Sequence, residues 1–109
     1  MKTKICMIFD NNNLIFNKEF DNYFNSLKTD MEHKLIQWYK EIKSGNIPHI
    51  PIATKKYREY ILFINKIADK RAMVIRIKNS DYIEVHLSDH KYYDEQRKRF
   101  GIKKGSKKY

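Results

Sequence analysis

Six residues in the second half of the chain carry side chains suited to phosphate chemistry. They are Arg71 and Arg76, and the run His90-Lys91-Tyr92-Tyr93. A guanidinium keeps its charge at any working pH and can grip a phosphate through two parallel N–H bonds. A histidine has an unperturbed pKa of about 6.5, so it can take up and return a proton near neutrality. A tyrosine can stack on a base, or share in proton transfer when cations lower its pKa. The same residues have ordinary uses. The two arginines can pair with Asp69, Glu84 or Asp89 across a sheet, His90 can be a polar surface histidine, and one of Tyr92 and Tyr93 belongs to the core, because adjacent residues point different ways.

The charge around them is uneven. The 109 residues carry a net +10, of which residues 1–54 hold +1 and residues 55–109 hold +9. From Arg97 to the end the chain has Arg97, Lys98, Arg99, Lys103, Lys104, Lys107 and Lys108, and no acid. Such a block attracts polyanions and speeds encounter with them. It also fits a solvated tail that keeps a protein in solution. Lys55, Lys56, Arg58, Lys66 and Lys70 extend the basic character upstream. With Tyr92, Arg97, Lys98, Arg99, Lys103 and Lys104 they form the expected nucleic-acid-binding set, with RNA the favoured partner. Phe100 and Ile102 build no helical apolar face of membrane-binding length, so a membrane surface is a poor fit.

Several classes of chemistry drop out. One cysteine, Cys6, supports neither an internal disulfide nor a cysteine-rich zinc site, and it reads as a small core residue in a reducing compartment. The four histidines make no HExxH pattern, and His86 and His90, four apart, fall at a strand end rather than on a helix. No metal or cofactor is expected. Ile5–Phe9 is far shorter than the ~7–15 apolar residues of a signal-peptide core. No run nears the ~18–20 of a membrane span. The expectation is a cytoplasmic protein.

The elements that must position these residues follow from periodicity. Lys4–Phe9 and Leu14–Phe16 read as extended, separated by the turn residues Asp10-Asn11-Asn12-Asn13. Phe20, Tyr23, Phe24 and Leu27 fall at helical spacing, predicting a helix over 18–28. Thr29 and Glu32 fit a capping box that opens a second helix, with Met31, Leu35, Trp38, Tyr39 and Ile42 as its stripe and Gly45 as its stop. Ile47-Pro48-His49-Ile50-Pro51 reads as a loop. Tyr60–Ile67 reads as a strand. Met73, Ile75 and Ile77 alternate with Val74, Arg76 and Lys78. Asn79-Ser80-Asp81 is turn chemistry, and Ile83, Val85 and Leu87 alternate with Tyr82, Glu84 and His86. Tyr92–Phe100 predicts a last short helix. The order is that of an α+β domain: an N-terminal strand, a helical hairpin on one face of an antiparallel sheet of about four strands, and a C-terminal helix or tail. Residues 1–100 make one domain and 101–109 a flexible basic tail.

The stretch Leu14-Ile15-Phe16-Asn17-Lys18-Glu19-Phe20, Leu27, the second helix ending at Gly45, and the strands from Arg71 to Tyr93 resemble the RelE/ParE toxin superfamily, over roughly residues 14–93. RelE-type members are ribosome-dependent endoribonucleases, and ParE-type members inhibit gyrase. The resemblance sets Arg71 where the family often has an arginine opening the central strand, in Arg71-Ala72-Met73-Val74-Ile75-Arg76. It sets His90-Lys91-Tyr92-Tyr93 where many members place an Arg or His and then a Tyr. The family's paired lysines correspond loosely to Lys66 and Lys70. The chain departs from the family in having Lys91 or His90 for the strand-end arginine, and Ala68-Asp69-Lys70 for a glycine between strands.

The resemblance implies a toxin-like endoribonuclease that acts on mRNA at the ribosome and is neutralised by a cognate antitoxin. Cleaving RNA requires the 2′-OH to lose a proton, the phosphorane charge to be held, and the leaving 5′-oxygen to gain a proton. Arg71, Arg76 and Lys91 are the expected cations, His90 the proton-transfer group, and Tyr93 its catalytic neighbour. A ParE-like topoisomerase inhibitor and a plain nucleic-acid-binding protein remain as alternatives.

Overall fold

The computed structural model describes residues 1–46, 50–53 and 59–99. Lys55, Lys56, Arg58, Lys103, Lys104 and the expected 101–109 tail lie outside them. The chain opens with a helix, α1 (Lys2–Phe9), where a strand was expected. A short mixed run does not separate the two periods. Burial decides here: Ile5 and Phe9, four apart, are 0% and 3% exposed in the core beside the second helix of the hairpin. Asp10 ends α1 in the left-handed region, φ 51°, a conformation Asp tolerates better than most residues.

A two-residue strand, β1 (Ile15–Phe16), follows. Buried Asn17 extends its pairing: its Nδ2 donates to the Leu87 carbonyl at 2.8 Å, and its Oδ1 accepts from the Leu87 N–H at 2.9 Å. The helical hairpin is α2 (Phe20–Asn25) and α3 (Thr29–Ser44). Lys28, not Thr29, caps α3, through its own carbonyl and the Glu32 N–H at 2.9 Å, with no side-chain cap bond. Gly45 stops the helix at φ 79°, where it carries no Cβ penalty.

The remaining strands are β2 (Ile50–Ala53), β3 (Glu59–Ile67), β4 (Lys70–Ile77) and β5 (Ile83–Ser88), before a last helix, α4 (His90–Arg99). Ile50 and Pro51, expected in a loop, belong to β2. The sheet order β1-β5-β4-β3-β2 puts β2 at an edge, where a proline's missing N–H is tolerated. β1 runs parallel to β5 and the other pairs are antiparallel.

Both sheet faces are covered. Phe63, Ala72, Val74, Val85 and Leu87 face α1–α3 in the larger core. Leu62, Ile64, Met73 and Ile75 face the other way, with Tyr93 of α4 packed on them. Continuous burial along β4 and β5 follows from this two-sided cover.

Candidate functional site

Cross-strand register sorts the expected site residues by face. Arg71 lies opposite Lys66 and Ser88, in the row next to Ile64, Met73 and His86, on the side covered by α4. Arg76 lies opposite Ile61 and Ile83, and Lys70 opposite Ile67, on the side covered by the helical hairpin. Arg71 and Arg76 are five positions apart, an odd number, so a strand must send them to opposite faces. The expected pairing of these two arginines at one phosphate therefore does not form. Lys66 and Lys70 are split in the same way, and the Lys70 ammonium sits 5.0 Å over the Tyr23 ring.

Three of the expected catalytic residues do come together, around Tyr93. Its buried ring has the Arg71 guanidinium 5.9 Å from its centroid and the Arg97 guanidinium at 5.5 Å. The His90 ring meets it edge-on at 5.9 Å. His90 is half exposed and its Nδ1 lies 3.0 Å from the Asp94 carboxylate, one helical turn on. That carboxylate also takes two bonds from Arg97, at 3.2 and 2.7 Å. Arg71 is 8% exposed; its Nη1 donates to the Lys70 carbonyl at 3.2 Å, and its Nε has no partner among the described residues. Among the described residues no carboxylate pairs with Arg71. Beside it, Lys66 is exposed on the same face.

A second polar cluster, absent from the expected set, fills the space between β5 and α4. Glu84 and His86 are both nearly fully buried. The His86 Nε2 is 2.8 Å from Glu84 Oε1, and its Nδ1 is 2.8 Å from the Tyr92 hydroxyl. Arg99 closes on the Glu84 carboxylate with two bonds of 2.9 Å, and the Tyr82 hydroxyl donates to it as well. Burial by itself would raise the Glu84 pKa, but the bonds from His86, Arg99 and Tyr82 together hold it below the usual carboxylate range. The bond to Glu84 raises Arg99 above its ordinary value. Burial, then the Glu84 charge, raises the Tyr92 phenol, so Tyr92 keeps its proton at neutral pH. Arg99, expected to bind nucleic acid, is thus committed to holding α4 on the sheet. The sequence signal for this cluster was the alternation Tyr82-x-Glu84-x-His86, which puts three polar residues on one strand face.

Tyr92, half buried, reaches from this cluster to a cleft of about 350 Å³ between the start of α4 and the β1–α2 junction. Asn17, Lys18, Glu19, Tyr23, Ser88, Asp89, Lys91 and Glu95 also line it. Asp89 is occupied twice, accepting the Tyr92 N–H at 2.9 Å and the Tyr23 hydroxyl at 3.3 Å. Lys91 is exposed on the cleft, and Lys98 is exposed on α4. Among the described residues, no group of three His, Cys, Asp or Glu comes together to hold a metal ion, and no helix is long and apolar enough to cross a membrane.

A twisted, mostly antiparallel sheet with a helical hairpin on one face and a C-terminal helix on the other defines an α+β fold of the RelE kind. No protein-family model and no curated protein sequence matches the chain. Among solved structures it is similar to the RelE chain of the archaeal RelE–RelB complex from Pyrococcus horikoshii OT3, with a TM-score of 0.51 and 12% identity over 70% of this chain and 91% of that one. At that identity the likeness is one of fold.

Proposed function

We propose that this chain is the toxin of a toxin–antitoxin pair, an endoribonuclease that cuts mRNA on the ribosome and is held in check by a cognate antitoxin. The observation that carries the proposal is the grouping of His90, Tyr93 and Arg71 within one contact chain on the α4 side of the sheet. The fold likeness to RelE, solved in complex with its partner RelB, supports the antitoxin. The nucleophile in such a cleavage is the RNA's own 2′-OH, so the protein has only to move protons and hold charge. Asp94 orients His90 through Nδ1, leaving Nε2 to exchange a proton with the RNA. Arg71, unpaired by any described carboxylate, and exposed Lys66 beside it supply positive charge for the phosphorane. Lys91 and Lys98, with the basic block continuing beyond α4, draw the polyanion in. Arg76 has no part in this scheme.

The test is inducible expression with mapping of RNA 5′ ends, in wild type, His90→Ala and Arg71→Ala. New cuts in wild type that vanish in both variants, with growth restored and folding retained, support the proposal. Growth arrest that persists in both variants without RNA cuts points instead to a ParE-like inhibitor of a topoisomerase. Buried Arg71 and its separation from Arg76 are what favour that second reading.

A further inference from the structure

Arg97 has no part in that scheme, although it stands beside the residues that do. His90, Tyr93, Asp94 and Arg97 fall at i, i+3, i+4 and i+7 of α4, so one stripe of the helix carries all four. Arg97 differs from its basic neighbours Lys91 and Lys98, which are exposed. Its side chain is 12% exposed, and its guanidinium lies 5.5 Å from the Tyr93 ring centroid. An arginine grips a phosphate through a pair of parallel N–H bonds, and one such pair is already spent here: Nε and Nη2 both donate to Asp94 Oδ1, at 3.2 and 2.7 Å. The two oxygens of Asp94 serve different partners, for Oδ2 lies 3.0 Å from His90 Nδ1. A carboxylate bonded by a guanidinium is an acceptor, so Nδ1 turns its N–H toward it. The neutral Nδ1–H ring and the imidazolium both meet that condition.

Helix stability does not account for this arrangement. An acid N-terminal to a base supports a helix, which fits Asp94 and Arg97, but His90 and Asp94 stand in the reverse order. A cation in the first turn also meets the positive end of the helix dipole. His90 is thus seated where α4 gains little from it, at the first position of the helix, with its side chain 55% exposed. A side chain this open keeps its rotamer freedom unless its neighbours hold it. Tyr93 offers a ring edge-on at 5.9 Å, and Asp94 offers a hydrogen bond. Arg97 fixes the rotation of the Asp94 carboxylate, and with it the direction in which Oδ2 points.

We infer that Arg97 is a positioning residue: it does not touch RNA, and through Asp94 it holds the His90 ring in the orientation that leaves Nε2 for the RNA. The inference rests on the ribonuclease reading, in which His90 moves the proton. It replaces the expected role of Arg97 as a nucleic-acid contact with one inside the protein.

The experiment pairs NMR relaxation with kinetics on the full chain. Carbon-13 relaxation of the His90 imidazole in the free protein reads the order of the ring. Wild type should show an order parameter near the rigid value of about 0.85, and Arg97→Met and Asp94→Ala should each fall below about 0.6, with the α4 backbone unchanged. In cleavage of a defined mRNA on ribosomes, Arg97→Met should lower kcat about tenfold at unchanged KM, within the roughly hundredfold cost of an ångström of misplacement. Arg97→Lys keeps a charged donor within reach of Oδ1 and should recover most of the loss. In an Asp94→Ala background, Arg97→Met should cost nothing further, because its effect runs through that carboxylate. A raised KM with kcat intact would make Arg97 an RNA contact, and additive losses would give it a role apart from Asp94. A His90 ring equally ordered in Arg97→Met would leave it nothing to position. Each of these results overturns the inference. A wild-type chain that cuts no RNA ends the cleavage reading, and the relaxation data then decide by themselves whether Arg97 orders His90.

Discussion

The contact between Arg99 and Glu84 sets a measurable coupling between the last turn of α4 and the sheet. Glu84 is 4% exposed and Arg99 44% exposed, and the pair is joined by two parallel bonds of 2.9 Å. Exposed ion pairs contribute about 0.2–1 kcal/mol, whereas breaking a fully buried pair costs about 3–5 kcal/mol. Arg99 is nearly half in water, which screens its charge, so a coupling of about 1.5–2 kcal/mol is expected. In a domain of this size that corresponds to a fall in Tm of roughly 8–12 °C. The assay is a double-mutant cycle by urea denaturation, with Arg99→Gln, Glu84→Gln and the double variant. Acid adds a second check. The folded-state pKa of Glu84 is depressed, so its stabilising contribution is complete above the unfolded carboxylate pKa of about 4.3 and is lost as pH falls toward the folded value. The coupling should thus be flat from about pH 5 to 8 and shrink below about pH 4. A coupling under about 0.5 kcal/mol at pH 7, or one that grows on acidification, would show that Arg99 does not dock α4 through Glu84.

Three further outcomes follow from single residues. Tyr39 is fully buried with a hydroxyl that has no hydrogen-bond partner among the described residues, so Tyr39→Phe should raise stability by about 1 kcal/mol in urea denaturation, because it deletes an unsatisfied polar atom. Ala68 occupies the left-handed region at φ 54° in the turn between β3 and β4, and Ala68→Gly should stabilise by about 0.5–1 kcal/mol, read as a higher Tm. Arg76→Ala should leave RNA cleavage at the wild-type rate in 5′-end mapping while Arg71→Ala abolishes it, since only Arg71 faces α4.

The helical hairpin was legible in the residues alone, because Phe20, Phe24, Leu35, Tyr39 and Ile42 repeat at the helical period over enough turns to exclude a strand, and Gly45 marks the stop. The β4–β5 hairpin was equally legible from its alternation and from Asn79-Ser80-Asp81. The opposite facing of Arg71 and Arg76 was also there to be read, since five positions along a strand always reverse the side. Burial decided that α1 is a helix, since its eight residues contain too little repeat to choose between the two periods. The pairing of β2, with Pro51 inside it, depended on that strand lying at the sheet edge. The choice between Tyr92 and Tyr93 rested on where α4 docks: Tyr93 turns into the second core and Tyr92 toward the cleft. The polar row Tyr82, Glu84 and His86 has the pattern of a solvent-facing strand. It became a buried hydrogen-bonded cluster only because α4 folds back over it and brings Tyr92 to His86, six residues on, and Arg99 to Glu84, fifteen residues on, contacts that strand periodicity does not encode.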